Sequence, residues 1–412
     1  MKLKNTLSRA ARRALLFVSV LGPGLITASA DNDAPGIATY SMVGSRYGYS
    51  FLWIIVWVTV GEVVVQEMAA RMGATTGKGL TDLIRERFGL RLTFLVLVGL
   101  VLANLGTTAS QLAGIAAAAE LFGVSRYIAV PIAAVAIYLL VTHGTYNRVE
   151  KVLIALSMFS VTYIASAILL KPDWGAVLRQ AIVPQVHFDT QYLLAVLATV
   201  GTTITPWAAV YMQASIADKG VDMEHFGHTR LDVMFGAAVG NVVSAFIIIC
   251  TAASLFARGI VVETAEQAAL ALAPVAGQWA EVLFGVGLMG ASMLAASVLP
   301  LATTYAVCEV MGWARGLNLR RADARAFYGL FGGMIGLSGA VVLIPGIELF
   351  PLMWLSQVAN SLLLPLVLVL MILLANSKPI MGRWRNRGLT NAIAAVTAVL
   401  VSIASLALLA GA

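Results

Sequence analysis

Runs of about 18 or more mostly apolar residues recur eleven times along the chain, long enough for a helix to cross a bilayer core. They lie near 15–43, 50–70, 92–119, 128–143, 152–170, 191–217, 229–257, 279–308, 326–346, 350–375 and 391–410. With 60% hydrophobic and only 11% charged residues, the chain falls far below the roughly 25% charge of a soluble domain. The expectation is an all-α integral membrane protein of 11 transmembrane helices. Placing the N-terminus in the cytoplasm puts all but five of the 27 Lys and Arg on that side; Arg46, Arg126, Lys171, Arg179 and Arg258 fall outside. That bias is the positive-inside pattern, with the C-terminus outside the cell (inner) membrane. The net charge of +7 is therefore a topology signal, with no nucleic-acid partner implied. Attraction to anionic lipid headgroups is secondary. Cys250 and Cys308 both sit in apolar runs, so no disulfide framework is expected.

The first run contains ITASADNDAPG, Ile26 to Gly36, which reads two ways. Ala28-Ser29-Ala30 after a basic, apolar leader resembles a signal-peptidase site. Uncut, the same stretch places Asp31, Asn32 and Asp33 with Pro35 and Gly36 inside a span, where ionisable groups mark function by default. The sixth run decides between them. LATVGTTITPWAAVYMQAS again sets small and polar residues around a mid-span proline, and Pro35 and Pro206 lie 171 residues apart. Paired interrupted segments at matching positions of two halves point to an inverted-repeat transporter with its site at the breaks. Proline removes a helical donor, and freed carbonyls are tolerated only where they line a cavity. The stretch is thus expected to be retained. The chain reads as one transporter domain, with a first repeat over 15–170, a second over 191–375 and a peripheral helix over 391–410.

Other features carry less. Glu62 lies near the middle of the second span and reads equally as vestibule lining or as a partnered structural acid, with proton transfer a third option. Glu67 is expected to be solvated or paired with Arg71. GATTGKG, Gly73 to Gly79, mimics a phosphate loop but has three residues between its glycines and no Ser or Thr after Lys78. No nucleophile–base constellation suggests an enzyme.

At the breaks, and in GPG (Gly22 to Gly24), QEMAARMGATTGKGLTDLIRERFG from Gln66 and SQVANSLLLPLVLVLMILLANSKPIMG from Ser356, the chain resembles the NRAMP superfamily. These are proton-coupled divalent-metal transporters of LeuT-type fold, a five-plus-five inverted repeat with broken helices 1 and 6. The resemblance spans about residues 15 to 385. It implies that Asp33 replaces a metal-binding Asp, that Gly36 stands where the family has a metal-binding Asn, and that Asp31 stays in play because the proline is displaced by one. The family's Met-Pro-His in span six is Thr205-Pro206-Trp207 here, so a hydroxyl stands in place of a thioether ligand and Trp207 is expected to pack. Met212 replaces a second family histidine. The backbone carbonyls of Ala30 and Thr202 are family-style ligands. Gln357 matches a polar site residue of span ten, with Asn360 one turn along as access-path lining or an interhelical hydrogen bond. Where the family has an Asp and a Glu of its proton path, this chain reads ANLGTTASQLAG, Ala103 to Gly114, without an acid.

Thioethers favour transition metals, whereas carboxylates, carbonyls, hydroxyls and water suit hard cations. A site of Asp33, Thr205 and Gln357, with Asp31 and Asn32 at hand, fits a partly hydrated Mg²⁺, an ion that dehydrates reluctantly. The pattern is similar to the NRAMP-related magnesium transporters. The expected function is uptake of Mg²⁺, with Mn²⁺ also possible as substrate, by alternating access in a monomer, with no cofactor and no obligate proton coupling. The alternatives are a proton-coupled Mn²⁺ or iron transporter of the parent type, which would need Glu62 to carry protons, and a non-transporting sensor or channel.

Overall fold

The structure, a computed structural model, describes residues 32–142, 158–187, 189–224, 226–316 and 319–410. Helix α1 (Ala34–Tyr47) starts where the Asp33 carboxylate caps its first turn and Pro35 pre-sets the helical backbone. It ends at Gly48, whose φ of +62° suits a residue without a Cβ, and a short turn over Gly48–Phe51 feeds α2 (Leu52–Thr76). These pieces form one apolar stretch of 43 residues, Ala34–Thr76, covering the second expected span and the outer part of the first. The rest of the expected first span, with Ala30 and Asp31, lies outside the described residues. Residues 73–79 are the end of α2 and the link to the next helix, not the strand-to-helix turn that a phosphate loop requires.

The chain continues through α3 (Leu80–Phe88), α4 (Leu90–Leu121), α5 (Arg126–Thr142), α6 (Thr162–Leu169) and α7 (Trp174–Ile182). Then follow α8 (Thr190–Thr203), α9 (Pro206–Asp218), α10 (Phe226–Ser254), α11 (Ala280–Met311), α12 (Arg325–Val342), α13 (Leu349–Asn376) and α14 (Gly388–Leu409), with short helical turns between. Among the described residues, eight stretches are long and apolar enough to cross a membrane; Arg126–Thr142 and Phe159–Leu169, at the expected fourth and fifth spans, are shorter apolar helices.

Helix α4 packs against α11 and α13, α2 against α10 and α9, and α8 against α13. A Cβ on Gly201 would lie 2.0 Å from the Gln357 carbonyl oxygen, so α8 and α13 touch backbone to backbone. Small residues permit this kind of approach between membrane helices. At the far side α14 packs on α13, α8 and α2 while Val396, Val399, Leu400 and Ile403 stay exposed. Its exposed face is apolar, as a face turned to lipid would be.

Candidate functional site

Both breaks follow from local chemistry. Helix α8 stops at Thr203, Ile204 and Thr205 leave the helical conformation, and α9 restarts with Pro206 as its first residue. Pro206 has no N–H, so the carbonyl of Thr202, four residues earlier, loses its helical donor. The break divides the 29-residue apolar stretch Thr190–Asp218 near its middle. At the other break Asp33 is extended (φ −79°, ψ −176°) and its Oδ1 accepts the Gly36 N–H at 2.9 Å. Gly36 therefore contributes a capping donor to the carboxylate.

The second carboxylate oxygen of Asp33 accepts a hydrogen bond from the Gln111 side-chain amide. Gln111 belongs to α4, which comes close enough for a Cβ on Gly114 to meet the Ala34 Cβ at 2.2 Å. Asp33 is buried, at 4% exposure, with neutral donors on both oxygens. Next to Gln111, Ser110 bonds Ser356 Oγ at 2.7 Å, and the Gln357 amide donates to that same hydroxyl at 2.8 Å. Asn360 donates to Thr107 Oγ1 and to Gln357 Oε1, each at 3.0 Å, so it serves as an interhelical hydrogen bond. Tyr40 of α1 and Thr203 of α8 share a 2.9 Å hydrogen bond, and Thr203 also donates back to Thr199 O at 2.8 Å. Together these contacts bring α1, α4, α8 and α13 to one polar region around the breaks.

Several buried oxygens there accept nothing from the described residues: Thr205 Oγ1, Gln111 Oε1 and Asn360 Oδ1. Buried acceptors of this kind are uncommon and call for a reason. Oxygen lone pairs beside one carboxylate can receive a hydrated cation. Among the described residues no three His, Cys, Asp or Glu side chains gather to hold a metal. What stands at the breaks, among the described residues, is one acid with amides, hydroxyls and a released carbonyl around it.

Asn32 turns toward α10, donating to Gly240 O at 3.1 Å and accepting from Ser244 Oγ at 3.2 Å. Glu62 accepts from Asn241 of the same helix at 1% exposure, so it has a structural partner one residue from the Asn32 contact. Glu67 pairs with Arg71 at 3.2 Å, as its spacing suggests. Trp207 is fully packed, against Val298, Leu299 and Ala302. Sequence reasoning missed Gln111 and Asn241. Each is an amide in the middle of an apolar run, and that isolation was the available signal.

The two ends of the bundle differ in charge. Helix α2, about 37 Å long at 1.5 Å per residue, starts near a cavity that Arg46, Tyr47, Glu263 and Glu348 help to line. An adjoining cavity of about 370 Å³ carries Glu120, Glu263, Glu266 and Glu348 against Arg126, which bonds Glu120 at 2.6 Å. At the other end of α2 arginines dominate.

Residues 24–411 match the family described as natural resistance-associated macrophage protein-like. The divalent metal cation transporter MntH of Aeromonas hydrophila is 27% identical over 394 residues, covering 93% of each chain. Its namesake from Yersinia pestis is 26% identical over 382 residues and 90% of each chain. Among solved structures, the manganese transporter of Eremococcus coleocola superposes with a TM-score of 0.75 at 20% identity, covering 97% of this chain and 88% of that one. MhsT in complex with L-phenylalanine gives 0.62 at 16% identity, with 94% and 96% coverage. These likenesses establish the transporter fold expected from the paired breaks.

Proposed function

Since the chain belongs to the Nramp family, we propose that it moves a divalent metal cation across the membrane, and that its preferred substrate is Mg²⁺, carried without obligate proton coupling. The membrane is the cell's inner membrane in this reading, with the arginine-rich end in the cytoplasm. The relatives' names support the class of substrate, being divalent metal cation and manganese transporters. The observation that carries the choice of ion is the pairing of Asp33 with the neutral amide of Gln111. Among the described residues the site has one carboxylate, and the acceptors beside it are amide and hydroxyl oxygens. Hard oxygen donors suit Mg²⁺, which keeps several of its waters. Asp33, Thr205, Gln357 and the Thr202 carbonyl are the residues that meet the hydrated ion. Asp31 and the Ala30 carbonyl, just before Asp33 in the sequence, would complete the ligand set. Gln111 and Gly36 hold Asp33 in place. Asn32 and Glu62 brace the first break against α10, and Asn360 holds α4 to α13.

Amides cannot relay a proton as an acid does, and none is needed. An inside-negative potential of about 100 mV supplies roughly 2.3 kcal/mol per charge, so about 4.6 kcal/mol for a divalent ion. At 1.4 kcal/mol per factor of ten that sustains an inward gradient of about 2,000-fold. The carboxylate-lined cavities at the outer end raise the local cation concentration.

The test is Mg²⁺ uptake into proteoliposomes under an imposed inside-negative potential, read with internal Mg²⁺ and pH dyes, for the wild type and Asp33→Ala. Saturable entry that the variant loses, with no proton signal, is expected. The second reading is a proton-coupled manganese transporter; the name of the Eremococcus coleocola neighbour supports the choice of ion. Uptake of Mn²⁺ but not Mg²⁺, with acidification of the lumen, would replace the first reading with it.

A further inference from the structure

At the end of the bundle where α2 finishes, a cavity of about 200 Å³ lies between that helix, the start of α10 and the segment leading into α14. Five guanidinium groups line it, those of Arg71, Arg230, Arg383, Arg385 and Arg387, against the single carboxylate of Glu67. So steep an excess within one small cavity costs free energy through like-charge repulsion unless an anion enters.

The arginines divide into two sets. Arg71 is buried at 7% exposure and fully engaged, with Glu67 at 3.2 Å, Asn386 Oδ1 at 2.6 Å and the Trp384 carbonyl. It fixes the segment that forms one wall. Arg230, on the opposite wall, reaches the same Glu67 at 3.2 Å with its side chain 55% exposed. Arg383, stacked 4.8 Å from the Trp384 ring centroid, and Arg385 and Arg387 are exposed. Among the described residues none of these three forms an ion pair. The first turn of α14 adds a helix N-terminus without a side-chain cap at Arg387 and Thr390, both of which line the cavity. Arginine forks and helix N-termini both match phosphate oxygens.

The surroundings identify the carrier of that phosphate. Leu389, in the first turn of α14, is 74% exposed, and the apolar face of Val396, Val399 and Ile403 runs on from it. Trp384, partly exposed beside the cavity, is of the type enriched where headgroups meet acyl chains. A phosphate seated among the arginines would let its acyl chains lie along the outer face of α14. We propose that this cavity binds the headgroup phosphate of an anionic phospholipid from the leaflet that meets this end of the protein. Basic pockets between membrane helices are a known setting for such headgroups. The inference is independent of which cation the protein carries.

Native mass spectrometry of the purified full chain in detergent, titrated with phosphatidylglycerol or phosphatidylcholine, tests this. One phosphatidylglycerol adduct should persist at collision energies that strip phosphatidylcholine, with at least a fivefold preference. Arg385→Gln/Arg387→Gln should reduce that adduct about tenfold without lowering the thermal midpoint, and Arg230→Gln should weaken it from the opposite wall. Arg87→Gln/Arg91→Gln, a second pair of exposed arginines away from the cavity, should leave it unchanged. Equal retention of the two lipids, or an equal loss in the Arg87/Arg91 variant, would overturn the proposal. So would complete displacement of phosphatidylglycerol by millimolar inorganic phosphate, which would assign the cavity to a soluble anion.

Discussion

Gln111 donates its side-chain amide to the carboxylate of Asp33, 78 residues earlier in the chain, so the acid at the first helix break is held by a group that cannot titrate. The pairing divides the work at the site. Asp33 supplies the charge, and Gln111 fixes its direction while keeping one amide oxygen without a donor among the described residues.

The first prediction concerns coupling. Wild-type Mg²⁺ uptake at fixed membrane potential should carry no proton signal, because the partner of Asp33 is an amide. Gln111→Glu sets another carboxylate against Asp33 and should make uptake pH-dependent with a measurable proton signal. A flat profile in the variant would remove Gln111 from the account of coupling.

Ligand softness gives the second. Thr205→Met introduces a thioether at the second break, where a buried hydroxyl has no partner among the described residues. Thioethers favour transition metals over Mg²⁺. The ratio of apparent affinities for Mn²⁺ and Mg²⁺ should rise about tenfold, equivalent to about 1.4 kcal/mol, in competition uptake assays. An unchanged ratio would place Thr205 outside the ion's reach.

Glu62 separates the two functional readings. Glu62→Gln keeps an oxygen that can accept from Asn241, so uptake should stay within about twofold of wild type. Glu62→Leu removes the acceptor from a buried amide and should lower stability by about 1–3 kcal/mol, read as a drop in thermal midpoint in detergent. Proton entry in the wild type that Glu62→Gln abolishes would instead make this residue a proton carrier.

Close packing gives a fourth. Gly201→Ala would drive a methyl group into the Gln357 carbonyl, 2.0 Å from the Cβ position. Overpacking of this kind costs about 1–3 kcal/mol, outweighing the roughly 1 kcal/mol that alanine gains over glycine in a helix. Thermal unfolding in detergent should show the net loss. A stabilised variant would mean that α8 and α13 can separate freely.

Much of this protein was legible in its order of residues. Apolar runs of helical length and the one-sided placement of Lys and Arg read directly as membrane spans. Pro206 read as a break because proline cannot donate to Thr202 whatever surrounds it, and the structure interrupts the helix there. Pro35 likewise sits in the first turn of a helix capped by Asp33. Such effects are local, acting within one helical turn, so the sequence alone determines them.

Partnership across the bundle is another matter. Gln111 meets Asp33, Asn241 meets Glu62 across 179 residues, and Asn32 turns to Gly240 and Ser244 of α10. Asn32 is next to Asp33 in the sequence, and these contacts direct its side chain to a neighbouring helix. No spacing rule connects residues so far apart. Inside a membrane the hydrophobic effect does not choose which helix faces which, because lipid is as apolar as leucine. That choice falls to close contacts such as Gly201 on Gln357 and Gly114 on Ala34, together with the hydrogen bonds each buried amide must find. The sequence by itself thus determined that there would be spans, where they break and which chemistry stands at the breaks. Only the tertiary structure decided which neutral side chains hold the Asp33 carboxylate there, because packing across helices rather than distance along the chain selects them.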